Sequence, residues 1–470
     1  MDSRRCWTRP MLFFSAHGHQ WDRLGRLARR YTKSRWIRLK FTFDYISCTR
    51  CPLEMKSPPV PFTISVRSFL ISPLQNSCNP GFAGRGNRRN AIMDSQVLQR
   101  LQAEFPVIEA CAYLNHAGMA ALPRLAADRM KALADLVSVT GDRRWLERNA
   151  EVERVRGLAA RLLGAHEPRE VAFVENTSTG LSLVAEGFPW QPGDNVVSAE
   201  LEYPSNVYPW MCLVDRGVDY RTVPEREGRI DEEELLARID GNTRMLVLSS
   251  VQYASGYRVD LRQLGAFCRE RGVLFVVDAI QSLGALAHDV EMELIDVVAA
   301  SAHKWLLGAE GIGLLYVSDR VIERFRPVRS GWRSMRDMFD WLKLDVDFQE
   351  GAKRFECGTM NMYGIAALGG SLEILLEAFV AGAEERILSL TERAAQGLAG
   401  LGFRVISSRR IGEASGIVTA IHPQIDAKDL VRHLASQDIV VSARAGRLRI
   451  SPHFYNSEDE IDRCLAALPL

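Results

Sequence analysis

Lys304 stands between a histidine and a tryptophan in SAHKWLLGAEGIGLLYVS (301–318), just ahead of a glycine-rich turn. Most lysines are solvated, and one that closes a strand usually reaches to water. The flanking stretches argue otherwise here: IDVVAASA (295–302) and GIGLLYVS (311–318) are apolar and partly β-branched, the pattern of buried strands. A lysine partly withdrawn from water at the mouth of such a sheet has its free amine favoured from a reference pKa of roughly 10.4, the condition for Schiff-base chemistry. Asp278 ends the run VLFVVD, 26 positions earlier. Strand geometry then puts both residues at carboxyl ends of neighbouring strands, where α/β sheets bind ligands. Asp278 reads either as a cap for the segment AIQSLGAL or as the carboxylate that keeps a pyridine nitrogen protonated and makes the ring an electron sink. Gln281 is placed to donate to a ring hydroxyl.

A third element is NTSTG (176–180), small and polar at a strand-to-helix junction. Helix N–H groups and hydroxyls there make an anion site, although an ordinary N-cap has the same composition. Ser301 and His303 add donors beside Lys304. Together with a strand-end Asp and a strand-end Lys, the set describes the binding of an aldehyde-bearing pyridine phosphate. GAEGIG is not a dinucleotide fingerprint, because its glycines at 308, 311 and 313 run in the wrong order and lead into a strand.

The elements that must position these groups alternate in type. VAFVEN leads into TSTGLSLVAEG (177–187), NVVSAELE into SNVYPWMCLVDRG (205–217), VDYRTVP into DEEELLARI (231–239), and MLVLSSVQ into DLRQLGAFCRERG (260–272) with an Asp cap and a terminal Gly. That alternation predicts an α/β fold with a largely parallel sheet. After about residue 378 a long helical pattern precedes GFRVIS, GIVTAIH, IVVSA and LRIS, which predicts a small α+β domain. Glycines 364, 369 and 370 are expected to soften the joint. The domain reading is a leader at 1–92, an N-terminal arm at 93–114, a large domain at 115–378 and a small one at 379–470.

A chain of 470 residues, 47% apolar and 25% charged, buries a large core. Its net charge of +1 hides an asymmetry: residues 1–92 hold 17 basic and 4 acidic residues, the rest 42 and 54. That leader fits a transit peptide, a basic nucleic-acid-binding arm, a disordered segment, or translated upstream sequence with Met93 as the working start. Nine cysteines without regular spacing suggest a reducing compartment, hence a cytoplasmic location, and the lone CxxC at Cys48 and Cys51 is weak evidence for metal. No apolar run reaches membrane-span length, so a membrane is not an expected partner, and nucleic acid is expected only as an alternative partner of the basic leader.

DAIQSLG, SAHKWLLGAEGIGLLY and RFECGTMN (354–361) together resemble the class V aminotransferase family, which includes cysteine desulfurases, selenocysteine lyases, kynureninases and isopenicillin N epimerases; the likeness spans about residues 110 to 460. It implies a fold-type I enzyme dependent on pyridoxal 5′-phosphate (PLP), with a mostly parallel seven-stranded sheet between helices and a smaller C-terminal α+β domain, working as a homodimer. Lys304 would be the Schiff-base lysine, Asp278 the pyridinium partner and Gln281 the phenolate donor. Thr177, Ser178, Ser301 and His303 would hold the phosphate, and Thr359 would reach the phosphate of the neighbouring subunit. Tyr203 falls where the family stacks an aromatic ring on the cofactor, Arg449 where it binds the substrate α-carboxylate, with Arg444 at the rim. Two departures matter. No cysteine occurs between Cys357 and Cys464, where desulfurases carry their nucleophile, and Tyr203 replaces their stacking histidine. Cys357 itself reads as a small buried hydrophobe. The leading expectation is therefore transamination of an amino acid, with a carbon–sulfur β-lyase or an epimerase as enzymatic alternatives and a cofactor-fold binding protein as the non-enzymatic one.

Overall fold

The computed structural model describes residues 93–469 apart from Lys343; the basic leader, with its CxxC, lies outside the described residues. Seven strands form the main sheet: β1 (Val171–Val174), β2 (Asn195–Ala199), β3 (Asp219–Val223), β4 (Thr243–Ser249), β5 (Leu274–Asp278), β6 (Val297–Ser301) and β7 (Gly313–Val317). Their spatial order is β1-β7-β6-β5-β4-β2-β3. β2 to β6 pair in parallel, and β7 runs antiparallel between β1 and β6.

These strands are apolar on both faces because both are covered. Phe275 and Val277 enter one hydrophobic core, while Leu274 and Val276 enter the other; Val298 and Ala300 divide from Val297 and Ala299 in the same way. Helix Leu261–Arg271 packs on β5 through the first core. Its ends follow from sequence: Asp260 caps the N-terminus and Gly272 takes the left-handed conformation (φ 68°) that ends it. Helix Thr177–Gly187 packs on β6 and β7 through the second core, capped by Asn176.

The C-terminal part builds an antiparallel sheet in the order Arg404–Val405, Val418–Ile421, Arg447–Ile450, Ser442–Arg444, backed by helices Ala383–Gly400, Ala427–Ala435 and Glu458–Ala466 over a third core. Ala112–Tyr113 pairs in parallel with Ile439–Val440, so the segment leading toward the site is tied to this sheet.

Three expectations need correction. The stretch 205–217 is not one helix but a 3₁₀ turn at Pro204–Asn206, a four-residue helix at Tyr208–Met211 and a second 3₁₀ piece at Cys212–Arg216; Pro209 removes a donor that a continuous helix from residue 205 needs. Glycines 364, 369 and 370 form no joint. All three are buried inside helix Met362–Val380, and a Cβ at Gly370 would lie 2.8 Å from the backbone of Ala126, so the glycine permits close approach of helix Arg124–Thr140. That same 19-residue helix is apolar and long enough to cross a membrane, contrary to the sequence reading, yet 78% of its most apolar 18-residue stretch is buried in the fold, where all-round burial explains the composition.

Candidate active site

Asp278 is the last residue of β5, and Lys304 follows the end of β6 by three positions; the two strands pair in parallel, with Asp278 opposite Ala299. The segment after β6 is held by a tight turn in which Leu307 N donates to Lys304 O (2.9 Å) and Gly308 N to Ala302 O (2.8 Å). Leu307 is buried at φ 56°, a strained conformation costing about 1 kcal/mol or more that surrounding packing must offset. Gly284 (φ 100°) lies against Trp305 O, where a Cβ would collide, which accounts for the glycine of DAIQSLG.

Burial is the chief force on the chemistry. Lys304 is 9% exposed and Asp278 1%. The Lys304 amine is pushed below its usual range by burial first, the opposing carboxylate of Asp278 pulls it back, and Arg449 and Arg444 lower it again. Asp278 is raised by burial; the Ile280 N–H on Oδ1 (3.0 Å) opposes this, Glu202 adds to it and Lys304 counters it. Its Oδ2 is buried and makes no hydrogen bond. An orphaned carboxylate oxygen is costly, and a protonated pyridine nitrogen is a donor that would satisfy it. Gln281 lies nearby with Oε1 accepting from Trp305 Nε1 (3.0 Å) and Nε2 donating to Ala117 O (3.1 Å); an amide nitrogen carries two hydrogens, so one remains for a ring oxygen.

At the start of the helix that follows β1, Thr177 N donates to Ser301 Oγ (2.8 Å), Ser301 N donates to Thr177 Oγ1 (2.9 Å), and the two hydroxyls are 3.0 Å apart. These residues therefore lock the helix start to the end of β6. Asn176 Oδ1 takes the Thr179 N–H, which leaves the Ser178 end of the first turn as the face for an anion. Ser178 Oγ donates to Ser205 Oγ (2.7 Å), and both line a cleft of about 560 Å³ with Tyr203 and Tyr208. His303 is half-buried, its pKa lowered by burial and then by Lys304.

Tyr203 lies over Lys304, ring centroid to Nζ 5.5 Å, and meets Tyr253 edge to face at 5.3 Å. Arg449 is 1% exposed. Its Nε donates to Ser442 Oγ (3.1 Å) and Nη1 to Tyr253 O (3.1 Å), while Nη2 is buried with no acceptor. A guanidinium with one prong unpaired awaits an anion. Thr359 stands apart, lining a separate cleft of about 120 Å³ with Glu175, Thr179 and Asn361. Cys357 lines that cleft too and is exposed, not buried as expected, because RFECGTMN crosses the surface there.

Three neighbours escaped the sequence reading. Glu202 is buried and accepts from Ser249 N (2.7 Å), Ser249 Oγ, Gln252 Nε2 (2.8 Å) and Asn206 Nδ2 (3.1 Å); burial still raises its pKa despite those donors. Tyr253 carries the carbonyl that holds Arg449. Asn115 has a buried, unpaired Oδ1 in the 115–120 segment, which touches the site where Ala117 O meets Gln281 and Ala120 N donates to His303 O. The signal available was the flanking motif: Glu202 immediately precedes Tyr203.

The chain is 29% identical to a probable cysteine desulfurase of Methanothermobacter thermautotrophicus over 62% of this chain and 76% of that protein. It is 27% identical to the uncharacterised aminotransferase YcbU of Bacillus subtilis over 76% and 93%. The fold matches the cystine C–S lyase C-DES with its product cysteine persulfide (TM-score 0.72, 24% identity, 77% of this chain and 98% of that one), and a lysine mutant of C-DES with glycine covalently linked to its PLP cofactor matches at TM-score 0.73. These are fold-type I enzymes. The model of the class V aminotransferases covers residues 112–464, and the chain belongs to that family, as an enzyme whose cofactor is PLP.

Proposed function

We propose that this enzyme removes the α-proton of an α-amino acid with Lys304 and eliminates a sulfur substituent from Cβ, acting as a carbon–sulfur lyase without a persulfide cysteine. The observation that carries the α-amino-acid part is the unpaired Nη2 of buried Arg449 beside the lysine whose amine is destabilised as a cation. One group takes the α-carboxylate; the other, as a free base, takes the proton. PLP supplies the electron sink for the pair of electrons left at Cα. With PLP bound, Asp278 would hold the pyridine nitrogen, Gln281 the phenolic oxygen and Ser178, Thr177, Ser301 and His303 the phosphate, with Tyr203 beside the ring. Lys304 then carries its proton to the departing sulfur, so the Cα–H and Cβ–S bonds break and a thiol leaves.

Support for elimination comes from the likeness to the cystine C–S lyase structure and to relatives named cysteine desulfurase, and from the lack of cysteine between Cys357 and Cys464, which leaves no nucleophile there to take sulfur as persulfide. Transamination is the second reading, favoured by the aminotransferase name of a relative matched over 93% of its length. The two differ in stoichiometry. Elimination turns over without a keto acid and yields keto acid, ammonia and thiol or sulfide; transamination stops after one equivalent until a keto acid is added. Multiple turnovers of cysteine derivatives without an acceptor are expected, and an absolute requirement for a keto acid would reverse the choice.

A further inference from the structure

The hairpin Ser442–Arg444 and Arg447–Ile450 carries three arginines on one face. Ser442 lies opposite Arg449 and Arg444 opposite Arg447; directly paired residues and those two apart project to the same side. The two-residue turn between them, Ala445 (φ 49°) and Gly446 (φ 71°), has the backbone that fixes hairpin register. This face lies on residues 253 and 254, where Arg449 Nη1 donates to Tyr253 O and Arg447 Nη1 to Ala254 O (3.3 Å). Arg447 is neutralised there by Glu225 (2.8 Å). Arg449 and Arg444 have no carboxylate partner among the described residues, and the one hydrogen bond of the Arg444 guanidinium goes to the adjacent Ala443 carbonyl (2.8 Å). The charge of Arg444 nevertheless reaches inward, since it lowers the pKa of both Lys304 and Arg449. Arg449 and Arg444 thus stand on one face of the hairpin, two guanidiniums without a carboxylate partner among the described residues, of which an α-carboxylate engages one.

We propose that the substrate is an amino acid whose side chain ends in a second carboxylate or an equivalent oxyanion, with Arg449 binding the α-carboxylate and Arg444 the distal anion. This rests on the reading of Arg449 above. Combined with elimination, it describes a cysteine whose sulfur substituent carries an acid group.

Binding of unreactive acids to the holoenzyme tests this apart from turnover. Succinate, glutarate and adipate are titrated calorimetrically against butyrate, valerate and hexanoate, with Arg444→Gln, Arg444→Lys and Arg449→Gln in parallel. The best dicarboxylate is expected to bind at least about fivefold more tightly than its monocarboxylate counterpart, as for a partly exposed charge pair. Arg444→Gln should abolish that preference while leaving monocarboxylate affinity unchanged, and Arg444→Lys should restore part of it. Equal affinities, or a preference that survives Arg444→Gln, would overturn the distal-anion site and leave the role of Arg449 standing. Unchanged binding of both ligand types in Arg449→Gln would overturn the α-carboxylate reading itself, and this proposal with it.

Discussion

At Lys304 the protein spends burial to obtain a reactive amine. A neutral amine is the form that attacks a carbonyl, so the depressed pKa, about 8, sets the pH at which the apoprotein captures PLP. Capture is expected to accelerate with pH and level off near pH 8 to 9; a rate still climbing steeply toward pH about 10, as for a free lysine, would contradict the burial argument. Glu202 gives a second test. Each of its oxygens faces two donors, so Glu202→Gln points an NH₂ at groups that also donate. Thermal or urea unfolding is expected to show a loss of about 1 to 3 kcal/mol, together with weaker PLP retention through displacement of Tyr203. Lys304 and Asp278 were legible because each ends an apolar run, where a charge is conspicuous. Glu202 was not, because in ELEYPSN it reads as one of several solvated turn residues; only the fold reveals that Ser249, Gln252 and Asn206 surround it.

Among the elements, the strands and the capped helices were readable from local signals. Thr177–Gly187 and Leu261–Arg271 begin and end where Asn176, Asp260 and Gly272 dictate. What failed was whatever depended on a partner. Gly364, Gly369 and Gly370 look like a flexible joint in one dimension and are contact points between helices in three. Gly370→Ala discriminates between the two: at a hinge it would be neutral or stabilising by restricting the unfolded chain, whereas the 2.8 Å approach to Ala126 calls for a loss of about 1 to 3 kcal/mol. An unchanged denaturation midpoint would restore the hinge. The antiparallel course of β7 was likewise invisible, since a strand buried on both faces reads the same in either direction.

On the scale of the whole molecule, DAIQSLG and SAHKW disclosed fold and cofactor because they sit at the ends of neighbouring strands, while the pairing of Ala112–Tyr113 with Ile439–Val440 depends on segments more than 300 residues apart. Thr359 belongs to this scale as well. It lies in its own cleft, and we propose that it serves the phosphate of a second copy in a homodimer. Sedimentation is expected to show a dimer, and Thr359→Val to weaken PLP binding; a monomer that retains PLP at full affinity would rule that out. The most direct test of the central claim is borohydride reduction of the holoenzyme followed by peptide mass spectrometry. A single pyridoxyl group on Lys304 is expected, absent from Lys304→Ala protein that melts at a similar temperature, whereas a group on any other lysine, or one that persists in folded Lys304→Ala, would contradict the assignment of this site.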